Sequence, residues 1–182
     1  MELFEALAQR YSYRGGYRRQ PASRTDLRKI LEAGIRAPSG CNAQTTTFVA
    51  VDDPEMIAKI AVIVDRPTVR EAAALIVCVM ETRAVYHDMS FGVEDCAVAA
   101  ENVWLALTAL GYASVWLDGA LRLEGRAEKI GALLGVPPGS TARILMPIGV
   151  PAEPGVPRDR LPFEQRAFFN HWGSAAGGSG KD

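Results

Sequence analysis

The chain has 182 residues, the length of one compact domain, and needs no disulfide or metal to stay folded. Its 20 basic and 21 acidic side chains leave a net charge of −1, which gives no whole-molecule electrostatic case for nucleic acid or an anionic membrane. No apolar run approaches the ~18 residues of a membrane span, and three widely spaced cysteines with two histidines match no zinc pattern, so a cytoplasmic protein is expected.

The opening MELFEALAQR has no basic stretch followed by an apolar one and does not read as a signal peptide. Leu3, Phe4 and Leu7 instead share one side of a short helix over 2–10. Within residues 1–36, Arg10, Arg14, Arg18, Arg19, Arg24, Arg28, Lys29 and Arg36 face only Glu2, Glu5, Asp26 and Glu32. That bias suits either a local anion site or a solvated basic face. Leu27, Ile30, Leu31 and Ile35 predict a helix over 26–36, with Ser23 or Thr25 as its cap and Pro38 beyond its end. Thr46–Val51 reads as a strand, after which Asp53 caps a helix that starts with Pro54 and runs to about Ile63. Ala73–Met80 is a continuous apolar run, the pattern of a buried strand.

The strongest element covers 94–110, where Ala97 to Ala100, Val103 to Leu107, Ala109 and Leu110 leave almost no polar face. A helix apolar nearly all round must be buried on all sides, at the centre of the domain or against a second subunit. Gly111 ends it, and a strand over 113–118, a helix over 122–134 and a strand over 142–149 follow. Helices interleaved with about four strands indicate layers rather than a bundle or sandwich. From Pro151 onward four prolines prevent regular pairing, yet Leu161, Phe163, Phe168, Phe169 and Trp172 are too apolar for a free tail. Such a segment must lie on a surface, its own domain's or a partner's.

Three short segments carry chemistry. In Arg10-Tyr11-Ser12-Tyr13-Arg14, two guanidiniums flanking a hydroxyl suit a phosphate monoester, because arginine binds phosphate oxygens in pairs. In Ala37-Pro38-Ser39-Gly40-Cys41-Asn42-Ala43-Gln44, hydroxyl and amide groups can read the edge of a heterocycle without bringing in charge. Arg158-Asp159-Arg160-Leu161-Pro162 offers a second basic pair. Taken singly, each also reads as surface arginines or a polar turn. The terminal GSGK lacks the earlier glycine and the following hydroxyl of a phosphate loop, and no nucleophile elbow or dinucleotide fingerprint occurs.

In this order the segments resemble the compact FMN-dependent nitroreductases, over almost all of residues 2–172. The resemblance is carried by R-x-S-x-R at Arg10–Arg14, A-P-S-G-x-N-x-Q at Ala37–Gln44, the long helix after Glu94, the run from Gly111-Tyr112 to Trp116-Leu117-Asp118-Gly119, and the Gly149…Arg160 ending. It implies an α+β fold of three layers, α/β/α, with a central mixed, largely antiparallel sheet, in a homodimer. Residues 1–172 would form one FMN-binding domain, with 151–172 packing on the partner subunit and 173–182 a disordered tail. Arg10, Ser12 and Arg14 would hold the FMN phosphate and ribityl chain, with Arg158 or Arg160 closing on the phosphate. Pro38, Ser39, Gly40, Asn42 and Gln44 would line the flavin, coming from the other subunit. Leu117, Asp118 and Gly119 would lie over the ring near N5. Thr45-Thr46 stand where many relatives have Pro-Trp, and Asp65–Thr68 where several carry an asparagine and a lysine. Arg66 and Arg70 are the cations nearest that stretch.

The activity implied is transfer of reducing equivalents from NAD(P)H to a small acceptor, such as a nitroaromatic, quinone or activated alkene, by turns in one pocket. The flavin, not a side chain, would carry the chemistry. A non-catalytic module that stores or senses FMN is the alternative on the same fold.

Overall fold

The apolar run after Ala73 forms the strand Ala74–Glu81, and its alternate side chains enter two different cores. The computed structural model that shows this describes residues 1–173. In chain order its elements are α1 (Leu3–Gln9), α2 (Arg24–Ile35), β1 (Thr46–Val51), α3 (Pro54–Val64), α4 (Pro67–Arg70), β2 (Ala74–Glu81), α5 (Gly92–Ala109), β3 (Ala113–Ser114), α6 (Arg126–Leu134), β4 (Ser140–Gly149) and α7 (Phe163–Arg166). The expected disordered tail falls, from residue 174 on, outside the described residues.

The four strands lie in the order β1-β2-β4-β3, and each neighbouring pair is antiparallel. A parallel bridge from Ser12 to Ser114 adds the N-terminal segment to the β3 edge, so the sheet is mixed as expected. Ala74, Ile76 and Cys78 of β2 join Ile144, Met146 and Ile148 of β4 against α2 and α5. Leu75, Val77 and Val79 meet Ala142 and Leu145 against α3 and α6 on the other face. A strand covered on both faces has no polar side to show, which is why its sequence does not alternate. The result is an α+β fold in three layers.

Ser23 accepts the Asp26 N–H at the start of α2, and Asp53 accepts the Glu55 N–H at the start of α3, where Pro54 holds the first position. Cys78 and Cys96 are both buried in the α5-side core, as small hydrophobes. Asn102 anchors α5 to α2 by donating from Nδ2 to the Ala33 carbonyl at 3.2 Å.

Two expectations need correction. The strand over 113–118 is cut to Ala113–Ser114, with contact resuming at the Leu117–Leu145 bridge. The register is the same on both sides of the gap and sets Val115 opposite Pro147, which has no N–H to give the ladder. The helix over 122–134 begins only at Arg126, because Glu124 and Gly125 adopt left-handed backbone at φ 57° and 64°. The chain by itself leaves Val93, Glu94, Val98 and Ala109 of α5 exposed.

Candidate functional site

Past α1 the chain runs extended from Arg10, which already has φ −60° and ψ 129°. Successive side chains of an extended strip take opposite sides. Tyr11 and Tyr13 turn inward, leaving Arg10, Ser12 and Arg14 on the other side. The tyrosines bind this strip to the start of the C-terminal segment. Tyr13 donates to the Gly16 carbonyl at 2.6 Å and accepts the Ala152 N–H at 3.2 Å, while Tyr11 lies so close to Gly155 that no Cβ fits there. Tyr17 donates to the Pro147 carbonyl at 3.2 Å, and Arg18 and Ala152 complete the pairing through the carbonyls of Val150 and Gly16.

Arg10 lies on α5. Its guanidinium carbon sits 4.6 Å from the centre of the Trp104 ring, and Nε is 3.1 Å from Oε1 of Glu101. That Nε is buried yet forms no aligned hydrogen bond. Burial pushes the Glu101 carboxyl above its ordinary range, while the nearby charges of Arg10 and Arg160 pull it down. Of the expected phosphate arginines, Arg10 pairs with Glu101 directly, and Arg160 acts on the same carboxylate through its charge. Arg14, Arg158 and Arg160 are exposed and have no ion pair among the described residues.

The segment after Pro38 is held differently. Gly40–Asn42 forms one 3₁₀ turn, and Cys41, Asn42 and Gln44 all have positive φ, at 53°, 52° and 51°. Three such non-glycine residues in one loop are sustained only by firm anchors. Asp95, 5% exposed in the first turn of α5, supplies them: Oδ1 accepts the Gly40 N–H at 2.8 Å and Oδ2 accepts the Thr45 hydroxyl at 2.6 Å. Ser39 Oγ accepts the Gln44 N–H at 3.0 Å, and Phe91 packs so tightly on Gly40 that no side chain fits. Asn42, Gln44, Cys41 and Pro38 are exposed.

Asp95 and Glu101 are six residues apart, which on an α-helix directs them about 120° from each other. The loop and the arginine strip therefore occupy different faces of α5, and one chain does not bring them together.

Leu117–Gly119 is tied to the sheet by reciprocal hydrogen bonds between Leu117 and Leu145, at 3.0 and 2.9 Å. The Asp118 carboxylate is fully engaged: it accepts from Arg122 Nε at 2.7 Å and Nη2 at 2.5 Å, and from Arg143 Nη1 at 2.8 Å. Arg143 stands at the bulge where the β2–β4 register shifts. The backbone N–H groups of Asp118 and Gly119 have no partner among the described residues. Gly119 is exposed with open space where a Cβ would stand. The turn thus offers backbone donors, while its carboxylate serves to hold it.

Other candidates lie apart. His87 is in an exposed turn, edge-on to Tyr86 at 4.4 Å. Arg70 pairs with Asp65 at 3.8 Å, and Arg66 is exposed before α4. A groove of about 590 Å³ between α2 and β1 is lined by Arg24, Leu27, Arg28 and Asp52, and by none of the expected site residues. Sequence reasoning missed Asp95, Glu101, the Trp104 ring beneath Arg10, and Arg143. Asp95 and Glu101 did leave a signal, since each puts a carboxylate on a helix otherwise apolar.

The nitroreductase family model matches residues 7–66 and 64–150. A protein of Archaeoglobus fulgidus, whose name pairs NADH dehydrogenase with NAD(P)H nitroreductase, is 35% identical over 140 residues, covering 75% of this chain and 79% of that protein. An NADPH-dependent oxidoreductase of Staphylococcus saprophyticus is 27% identical over 177 residues, covering 87% and 69%. Among solved structures, nitroreductase A of Vibrio parahaemolyticus superposes with a TM-score of 0.81 at 25% identity, over 93% of this chain and 76% of that one. The NfrA1 nitroreductase of B. subtilis does so at 0.82 and 17%, over 94% and 75%. The fold and the site segments thus define an α+β oxidoreductase scaffold of the nitroreductase kind. The chain belongs to the nitroreductase family.

Proposed function

We propose that the protein is an FMN-dependent oxidoreductase that takes reducing equivalents from NAD(P)H and passes them to a small acceptor, such as a nitroaromatic, quinone or activated alkene, by a ping-pong mechanism in a homodimer. The observation that carries this reading is Arg10, held on α5 by Trp104 and Glu101, with Ser12 and Arg14 on the same side of its extended strip. The donor set fits a phosphate monoester: guanidiniums and a hydroxyl on one strip. The free N–H groups of Asp118 and Gly119 fit the edge of a heterocycle, which needs donors of fixed direction.

When bound, FMN supplies hydride transfer and the passing on of reducing equivalents. The chain binds and orients. Arg10, Ser12 and Arg14, with Arg158 or Arg160, would hold the phosphate and ribityl chain. Pro38, Ser39, Gly40, Asn42 and Gln44 would line the ring from the other subunit, in a loop whose shape Asp95 fixes. Leu117, Asp118 and Gly119 would lie near N5, their backbone set by Leu145, Arg122 and Arg143. The division of the loop and the strip between two faces of α5 supports assembly of the site from two chains. In the same reading 1–172 is one domain, and 151–172 packs on the partner.

The test is a visible spectrum of the purified protein. It is expected to be yellow, with bands near those of oxidised flavin, and NADH or NADPH bleaches it under anaerobic conditions. A colourless protein that also refuses added FMN would end the reading. A yellow protein bleached by neither nucleotide would leave a storage or sensor module in its place.

A further inference from the structure

Glu101 is the one carboxylate on α5 beyond its first turn, and its neighbours at helical spacing are Ala97, Val98, Trp104 and Leu105. Burying a carboxylate among such groups costs solvation, and a half-exposed ion pair returns little stability. Its position, not its contribution to folding, is what stands out. Two charged groups face it: Arg10 from the end of α1 and Arg160 from the C-terminal segment, both in the phosphate subsite proposed above.

We infer that Glu101 tunes the charge of that subsite: its carboxylate balances Arg10 and Arg160 and competes with a phosphate monoester for them. The geometry separates two supports. The Trp104 ring fixes the plane of the Arg10 guanidinium at 4.6 Å, whether or not Glu101 is engaged. Glu101 supplies charge alone, since Nε at 3.1 Å makes no aligned hydrogen bond to it. An unaligned pair is readily exchanged for a phosphate oxygen that meets the donors squarely.

A phosphate carrying nearly two negative charges, brought beside Glu101, takes over its cations and repels it. Burial already favours the protonated carboxyl, and the arginines oppose this. The phosphate adds to the first effect and removes the second. Glu101 therefore binds a proton as the phosphate binds, and affinity rises as pH falls between the carboxyl's pKa in the free protein and its higher value in the complex. The phosphate's own second ionisation near pH 6 lies outside this coupling, because it persists when Glu101 is replaced.

The inference rests on the flavin reading, and the experiment separates the two. The full chain, stripped of flavin, is titrated with FMN and with riboflavin, and FMN binding is repeated calorimetrically in two buffers of different ionisation heat. Glu101→Gln is expected to bind FMN about tenfold tighter, because a like charge is removed from beside the phosphate. It should leave riboflavin affinity unchanged and lose the proton uptake expected of the natural protein between the carboxyl's two pKa values. Glu101→Asp, which keeps the charge, should restore the uptake. Equal or weaker FMN affinity in Glu101→Gln overturns the competition, as does an equal gain for riboflavin or an unchanged uptake. Failure of the natural protein to bind FMN at all would instead remove the flavin reading, and this role of Glu101 with it.

Discussion

Two irregular segments rich in proline and glycine flank the candidate site, and they are held in opposite ways. The loop Pro38–Gln44 is anchored from within its own chain. Asp95 grips it at Gly40 and Thr45, Ser39 bonds Gln44, and Phe91 fills the space at Gly40. The described residues after Gly155 are mostly exposed. Val156, Phe169 and Trp172 are 79%, 62% and 94% exposed, and Leu161 and Phe163 are also out in solvent. A groove of about 420 Å³ among α1, α2 and α5, lined by Leu3, Ala33, Leu105 and Ala109, is open on the same chain. One segment is finished by its own fold. The other leaves large apolar side chains in solvent, which is what the proposed packing on a partner would cover.

The sharpest way to break this contrast is to cut the chain. Ending it after Ala152 should abolish both dimer formation and flavin retention, because it removes Arg158, Arg160, Phe163, Phe168, Phe169 and Trp172. Aromatic side chains bury about 150–250 Å² each, so even partial burial on a partner involves several kcal/mol at ~25 cal/mol per Å². Ending it after Trp172 should leave both unchanged. Light scattering after size exclusion and the flavin-to-protein absorbance ratio read the two outcomes. A yellow dimer from the shorter chain would mean that the segment does not wrap.

The next effect should fall on the self-contained loop. Asp95→Ala leaves the Gly40 N–H and the Thr45 hydroxyl without their acceptor, and each orphaned group costs about 1–3 kcal/mol. Urea denaturation should therefore show a loss of roughly 2–5 kcal/mol, together with weaker flavin binding. A loss below about 0.5 kcal/mol, the level of an ordinary surface substitution, would show that the loop holds its three positive-φ residues without Asp95.

The smallest effect separates arginines by place. Arg160→Ala should weaken FMN binding about ten- to a hundredfold, the equivalent of 1.5–3 kcal/mol for a charge-assisted contact. Arg24→Ala should change it little, since Arg24 is exposed at the start of α2 and spends its guanidinium on Asp52, at 2.6 and 3.0 Å. Equal losses in a flavin fluorescence titration would reduce the arginines to bulk charge.

Most of the framework was legible because local pattern sets it. Asp53-Pro54, the apolar run after Ala73 and the length of α5 each announce an element within a few residues. The misplaced boundaries had non-local or backbone causes. Nothing near Val115 reveals that Pro147 lies opposite, and the left-handed Glu124 is not marked by its residue type. The site divides along the same line. The segments that would touch a ligand carry their residues in short motifs, but what holds them acts at a distance. Asp95 reaches Gly40 across 55 positions, and Tyr13 reaches Ala152 across 139. A carboxylate on the buried stripe of a helix needs a partner, and that need was the readable part of Asp95.

The pairing of residues 13–18 with 147–152 also orders events during synthesis. Tyr17 is made early, while the Pro147 carbonyl it bonds comes 130 residues later. At roughly 5–20 residues per second, the arginine strip emerges from the ribosome about 6 to 26 seconds before its backing does. Contacts of such long sequence separation close slowly and late. The backing of the arginine strip is thus in place only after β1, β2 and the long helix have been made.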